Sequence, residues 1–178
     1  RALQFIRYYC KDFNIDKIKI VLKGGSAGAG TSLWIGLSND MAQANSTDPI
    51  LRESTRVKAI VANTTQSTYD LISWPTDVFT EYQNDGLDVD SMLTIATMET
   101  FLQFYGISDT NELNTPAMIE YRGKVNMLNF ISADDPDIYL VSESFPYSFP
   151  ATKGHLIHHP LHAKAVLDKA TQLNVKCK

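Results

Sequence analysis

Gly24-Gly25-Ser26-Ala27-Gly28 is the stretch that decides the fold of this chain, because it places a serine inside a glycine-dense turn. Residues 16–23 before it alternate apolar residues with lysines, which predicts a strand. Residues 31–41 after it carry apolar side chains at helical spacing. A Gly-x-Ser-x-Gly turn between a strand and a helix is typical of a nucleophile elbow.

The residue types in this turn have a physical reason. We expect Ser26 to lie in a sparsely populated region of φ/ψ space, on a sharp turn that exposes its hydroxyl at the carboxyl end of the strand. Gly24 and Gly28 are predicted to avoid a collision between the strand and the helix. The backbone N–H of Ala27, at a helix N-terminus, is the predicted oxyanion donor.

A glycine-rich turn of this kind can also cradle phosphate. The phosphate-loop pattern fails here, because Gly30 is followed by Thr31-Ser32 and not by lysine. The dinucleotide pattern Gly-x-Gly-x-x-Gly fails as well, since the glycines follow a different order. A nucleotide-binding α/β domain is therefore the less favoured hypothesis.

Strands and helices are predicted to alternate along the rest of the chain, which favours an α/β fold with a mostly parallel sheet flanked by helices. Proposed helices and strands follow from apolar spacing and capping residues. The predicted helices cover residues 2–13, 89–105 and 161–173, and the further predicted strands cover 57–62, 125–131 and the stretch from residue 175.

The run from Gly24 to Trp34 resembles the nucleophile region of carboxylesterase and lipase-like α/β-hydrolases. The resemblance implies that Ser26 is the nucleophile and that Ala27 N–H is one oxyanion donor. It also implies a partial α/β-hydrolase domain over residues 1–178, truncated at both ends, with a helical cap-like insertion at 69–114. Nothing in residues 1–23 matches the family's Gly-rich loop that supplies a second oxyanion donor, and earlier strands of the sheet are missing.

The family order of catalytic residues is Ser, then acid, then His, with the acid after the strand that is second from the nucleophile strand. The predicted strand 125–131 fits that place, and an aspartate-rich turn follows it. Asp135, directly before a proline, is the predicted acid, and Asp134 is the second candidate. The alternative is that Asp-Asp-Pro is turn chemistry alone.

The histidines at positions 155, 158, 159 and 162 crowd into eight residues. A metal site is conceivable, yet no acidic or cysteine ligand matches, so we predict no metal. In the family the histidine follows the strand that here begins only at Val175, which predicts a catalytic histidine beyond Lys178. His158 and His159 are the fallback candidates for the base.

Composition narrows the function classes further. The net charge of −4, with scattered basic residues, argues against a nucleic-acid partner, and no apolar run is long enough for a transmembrane segment. The predicted function is a serine hydrolase that acts on small-molecule carboxylic esters through an acyl-enzyme, without a cofactor. The alternative is a non-catalytic hydrolase-like binding domain, and compartment and oligomeric state stay open.

Overall fold

A parallel sheet of three strands lies at the centre of the computed structural model, which describes residues 1–178. The strands are β1 (Val21–Gly25), β2 (Ala59–Asn63) and β3 (Asp137–Val141), in the order β1-β2-β3. Their register aligns the carboxyl ends of all three strands at one edge. A parallel bridge between Ile138 and Cys177 adds the start of the predicted fourth strand beside β3. The α/β fold class is confirmed.

Eight helices surround or extend this sheet, joined by turns and five short 3₁₀ segments. None of the helices combines the length and the apolar character that a bilayer crossing requires. They are α1 (Ala2–Tyr8), α2 (Ala27–Leu37), α3 (Trp74–Asp77), α4 (Val89–Ala96), α5 (Met98–Tyr105), α6 (Pro116–Val125), α7 (Lys153–His158) and α8 (Pro160–Gln172).

The main hydrophobic core lies between the sheet and the helices α2 and α8. Leu33 of α2 is fully buried, as is Ile60 of β2, and Val166 of α8 packs in the same cluster. Burial of side chains of this size stabilises the fold by about 1.5–3 kcal/mol each. This core packs α2 against the sheet, and because α2 follows β1 in the chain, the same packing fixes the turn that contains Ser26.

Residues 69–114, the predicted cap, carry the helices α3, α4 and α5, and their apolar side chains form two further clusters. The single helix predicted for 89–105 is broken at Thr97, whose φ of 69° ends α4. The Thr97 hydroxyl then accepts a hydrogen bond from Thr100 N–H and caps α5. Gly106, at φ 66°, ends α5 in the left-handed conformation that favours glycine.

A partly buried ion pair joins this segment to the rest of the domain. Arg122 of α6 donates to both carboxylate oxygens of Asp70, at 2.7 and 3.2 Å. Tyr105 of α5 donates to the same carboxylate at 3.2 Å. Burial, followed by the nearby charge of Asp70, raises the pKa of Tyr105, so the phenol stays protonated as a donor. The network joins α5, α6 and the loop that follows β2.

The strand predicted for residues 125–131 is wrong. Val125 ends α6, and Met127–Asn129 form a 3₁₀ turn. Met127 and Leu128 are apolar because they fill the main core from that turn, and a short apolar run has the same appearance in a strand and in a buried turn. The strand that neighbours β2 is instead β3, about ten residues further along.

Candidate active site

Ser26 lies directly between β1 and α2, on a sharp turn. Its φ of 51° and ψ of −120° place it in a strained region for a residue with a side chain. The Ser26 N–H donates to the carbonyl of Asn63 at the end of β2, at 2.9 Å. The Ser26 carbonyl accepts the first hydrogen bonds of α2, from Ala29 and Gly30. These three bonds hold the serine at the carboxyl edge of the sheet.

The glycines around this turn differ in whether a side chain would fit at their positions. A Cβ on Gly24 would lie 2.2 Å from the carbonyl carbon and oxygen of Gly28, so the turn needs a glycine at position 24. A Cβ on Gly28 would meet nothing within 4 Å, and the predicted collision at that position is wrong. A Cβ on Gly30 would lie 2.3 Å from the hydroxyl of Tyr69, which explains a glycine that the pattern left without a role.

His158 is the side chain that the structure brings to Ser26. The Nε2 atom of His158 lies 2.7 Å from Ser26 Oγ, and its Nδ1 atom lies 3.2 Å from the carbonyl oxygen of Gly154. His158 is the last residue of α7, and the segment after β3 leads into that helix. Nucleophile and base candidates thus meet at hydrogen-bond distance within this chain.

Ala27 is the first residue of α2, so its N–H belongs to the helix-terminal donors that have no partner within the helix. The Ala27 carbonyl accepts two hydrogen bonds, from the hydroxyls of Thr31 and Tyr69, each at 2.8 Å. These bonds hold the peptide between Ala27 and Gly28, one position beyond the peptide that carries the predicted oxyanion donor. Tyr69, a side chain from the cap segment, thus supports the first turn of α2 next to the serine.

Asp135 and Asp134 do not contact a histidine. The Asp135 carboxylate accepts from Ser132 N–H and from Arg56, and the exposed Asp134 pairs with Arg56 as well. Both aspartates precede β3, whereas Ser26 follows β1, so they lie at opposite edges of a parallel sheet. The choice of these acids depended on the wrong strand at 125–131. Burial raises the pKa of Asp135. The hydrogen bond from Ser132 N–H and the positive charge of Arg56 offset only part of this rise.

The other three histidines bind backbone carbonyls. The Nε2 atoms of His155 and His159 lie 2.9 Å from the carbonyls of Pro146 and Ser148, and His162 lies 3.1 Å from that of Leu156. His159, the second fallback base, also caps α8 through Nδ1. No group of three or more His, Cys, Asp or Glu side chains is placed to hold a metal ion.

His162 predicts a loss of stability in acid. Burial lowers the pKa of this fully buried imidazole to about 3, from 6.5. Between these values the unfolded chain binds the proton and the folded chain does not, so the free energy of unfolding decreases as the pH falls from 6.5. The expected slope is about 1.4 kcal/mol per pH unit for one histidine. Urea unfolding at pH 7.5, 6 and 5 measures it.

The matched variant for this prediction is His162→Gln, which has no titrating group. The variant is expected to have a lower free energy of unfolding at pH 7.5. The dependence of this free energy on pH should weaken by about 1.4 kcal/mol per pH unit, the contribution of one histidine. Burial also lowers the pKa of His159, which keeps part of the slope in the variant. An unchanged slope in His162→Gln would contradict the assignment.

Two cavities meet at Ser26. The first is apolar and holds about 210 Å³, and the second is open and polar. Ser26 is the one residue that both cavities share. The apolar cavity is lined from the cap segment by Met92, Ala96, Phe101 and Phe104, and from α7 by Leu156 and Ile157. Asn63, Thr64, Ser144, Phe145 and His158 line the polar one.

Sequence reasoning missed Tyr69, because its contacts with Ala27 and Gly30 join distant parts of the chain. One local signal existed for Tyr69. Gly30 lies within a helix, where glycine is unfavourable, and that cost indicates a close neighbour.

The parallel sheet, the strand-to-helix turn with its strained serine and the helical insertion between β2 and β3 define an α/β-hydrolase fold. The chain belongs to the BD-FAE family of α/β-hydrolase-type esterase domains, whose family model matches residues 1–141. No curated protein matches the chain.

Solved esterase structures share this fold. An acetyl ester-xyloside bifunctional hydrolase from Caldicellulosiruptor lactoaceticus superposes with a TM-score of 0.62 at 18% identity, over 99% of this chain and 50% of that one. A truncated carbohydrate esterase from gut microbiota gives 0.60 at 17%, over 99% and 55%. Carboxyl esterase 2 from the mycorrhizal fungus Tuber melanosporum gives 0.53 at 15%, over 99% and 47%. The chain thus spans about half the length of these proteins.

Proposed function

We propose that this chain carries the reaction centre of a serine ester hydrolase, with Ser26 as nucleophile and His158 as general base. The 2.7 Å contact between Ser26 Oγ and His158 Nε2, on a strained strand-to-helix turn, is the observation that carries the proposal. The esterases with the same fold support the reaction class. His158 replaces the predicted base beyond Lys178, and no carboxylate is assigned to this pair.

The arrangement supports acyl transfer in two steps. His158 Nε2 takes the proton from Ser26 Oγ as that oxygen attacks the ester carbonyl carbon, and Ala27 N–H donates to the oxyanion that forms. The protonated His158 gives this proton to the departing alcohol, which leaves the acyl group on Ser26. A water molecule, deprotonated by His158, then attacks the carbonyl carbon of the acyl-serine. His158 returns this proton to Ser26 Oγ as the bond between Oγ and the acyl carbon breaks, which releases the carboxylic acid and restores the free serine.

An active-site label tests the nucleophile. We expect a fluorophosphonate probe to modify the chain once, at Ser26, and peptide mapping by mass spectrometry to locate the adduct there. Ser26→Ala is expected to abolish the adduct. Ser32→Ala is the control, because Ser32 lies within α2 and its hydroxyl donates to the carbonyl of Gly28, so this variant should keep the adduct. A folded chain that the probe leaves unmodified would contradict the proposal and favour the non-catalytic binding domain.

The apolar cavity predicts the acyl preference. An acyl chain attached to Ser26 can enter it, and each buried methylene favours binding by about 0.8 kcal/mol, or roughly fourfold in kcat/KM. Ala96→Leu places three carbons into this cavity. The variant is expected to lower the ratio of kcat/KM for p-nitrophenyl hexanoate over p-nitrophenyl acetate by about tenfold or more.

Thr94→Leu is the matched control, because Thr94 lies on the same helix, α4, with an exposed side chain. It adds a leucine without entering the cavity, so the hexanoate-to-acetate ratio should stay within about twofold of the parent. A parallel loss of activity on both esters in Ala96→Leu would indicate damage to the fold and not a change of acyl selectivity.

A further inference from the structure

We propose that Tyr69 is a positioning residue that couples the apolar cavity to the oxyanion donor beside Ser26. An acyl chain that fills the cavity packs on the Tyr69 ring, and the Tyr69 hydroxyl then holds the first turn of α2, which carries the Ala27 N–H. Part of the binding energy of the acyl chain thereby accelerates the attack of Ser26 and does not only tighten binding. This inference deepens the proposed function and depends on it, since acyl transfer at Ser26 is the step that is accelerated.

The hydroxyl of Tyr69 reaches the first turn of α2. It donates to the Ala27 carbonyl at 2.8 Å and lies over Gly30, where a Cβ would come within 2.3 Å of it. Burial raises the pKa of Tyr69, so the phenol stays protonated as a donor at neutral pH. The Ala27 carbonyl belongs to the peptide directly after the one that carries the Ala27 N–H. Without this bond the first turn of α2 is less restrained, and so is the oxyanion donor.

The ring of Tyr69 forms part of the wall of the apolar cavity, beside Phe104 of α5. The two ring centroids lie 6.1 Å apart, at an interplanar angle of 51°. The Tyr69 N–H donates to the Val125 carbonyl at 3.0 Å, which fixes the backbone behind the ring. Ser26 and Ala27 line the same cavity. An acyl chain in the cavity therefore contacts the ring whose hydroxyl supports the oxyanion donor.

Thr31 provides a comparison within the same turn, because its hydroxyl also donates to the Ala27 carbonyl. Thr31 belongs to α2 itself, is exposed and does not line the apolar cavity. Both hydroxyls hold one carbonyl, but only that of Tyr69 belongs to a side chain that the acyl chain contacts. The two residues thus separate a general loss of support for α2 from a loss of the coupling.

Stopped-flow acylation by p-nitrophenyl acetate and p-nitrophenyl hexanoate measures the coupling. In the parent chain we expect hexanoate to have both a higher limiting rate and a lower half-saturating concentration. Tyr69→Phe keeps the ring and removes the hydroxyl, so the limiting rate for hexanoate should fall about three- to tenfold, toward that for acetate, at an unchanged half-saturating concentration. Thr31→Val should lower both limiting rates by the same factor. Tyr121→Phe is the control, because this tyrosine of α6 is exposed and lies outside the cavity.

Amide NMR spectra test the coupling without turnover. Hexanamide, which carries the acyl chain without an ester bond, is expected to shift the signals of Leu156 and Ile157, which line the cavity, and of Gly28, which does not. The Gly28 N–H shares its peptide with the Ala27 carbonyl, so its signal reports on the hydrogen bond from Tyr69. In Tyr69→Phe the response of Gly28 should be lost, while Leu156 and Ile157 still respond.

The outcomes distinguish the two proposals. An equal loss on both esters in Tyr69→Phe, or a Gly28 signal that hexanamide leaves unchanged in the parent, would overturn the coupling and leave the esterase proposal intact. A parent chain that neither ester acylates would contradict the proposed function, while the Gly28 signal would still decide whether the cavity and α2 are coupled.

Discussion

His158→Ala is expected to slow the labelling of Ser26 by a fluorophosphonate about 10⁴-fold, with little change in the melting temperature. The reason is that Ser26 loses the group that accepts its proton, and removal of the histidine from a serine–histidine pair costs between 10⁴ and 10⁶ in rate in comparable sites. His158 lies at the end of a short helix and is partly buried, so the fold does not depend on it. Stopped-flow or gel-based labelling kinetics measure the effect.

His159→Asn is the control, because His159 is adjacent in sequence but does not contact Ser26. Asparagine can keep the cap on α8 that His159 provides, so this variant should label within about threefold of the parent even if its melting temperature falls. Labelling of His158→Ala at the parent rate would contradict the assignment. It would return the base to a residue outside 1–178, as the sequence first predicted.

Gly24→Ala is expected to abolish most of the labelling and to lower the free energy of unfolding by about 3 kcal/mol. The added methyl group would lie 2.2 Å from the backbone of Gly28, and backbone cannot move aside as a flexible side chain can. Overpacking of this kind costs about 1–3 kcal/mol. The shift of α2 against β1 also displaces Ser26 from His158, and a misplacement of about 1 Å costs roughly 10²-fold in rate.

Gly28→Ala is the matched control for this prediction. The same methyl group meets no atom within 4 Å at that position. Because alanine favours helix over glycine by up to about 1 kcal/mol, the variant should unfold at an equal or higher denaturant concentration. Its labelling rate should stay within about threefold of the parent. Equal damage from both substitutions would show that the turn tolerates neither, and the steric explanation of Gly24 would be wrong.

The sequence predicted the fold class because the turn around Ser26 is a local signal with flanks of the right kind. It did not predict β3, because Asp137–Val141 is short and follows a more apolar stretch that fills the core from a turn. The break of the cap helix at Thr97 was not visible either. A threonine at positive φ is unfavourable, so the residue type gives no local signal of the break.

The sequence likewise predicted the local part of the candidate site and not its long-range contacts. Ser26, Gly24 and Ala27 belong to one continuous turn, so their arrangement follows from the local pattern. The pair of Ser26 with His158 joins residues that lie 132 positions apart, and the choice among four clustered histidines depends on which one the end of α7 presents. The predicted acids, Asp134 and Asp135, lie at the opposite edge of the sheet from Ser26, because the stretch that they were expected to follow is a turn before β3 and not a strand.

Ser26 lies between an apolar cavity and a more open polar one, and this position has a consequence for the order in which the alcohol leaves and water enters. If Ser26 is the nucleophile, as proposed, and the acyl chain lies in the apolar cavity, the alcohol would depart through the open side and the attacking water would arrive by the same route. We then expect hydrolysis of the acyl-serine to follow the departure of the alcohol, and a small added alcohol to compete with water as the acyl acceptor.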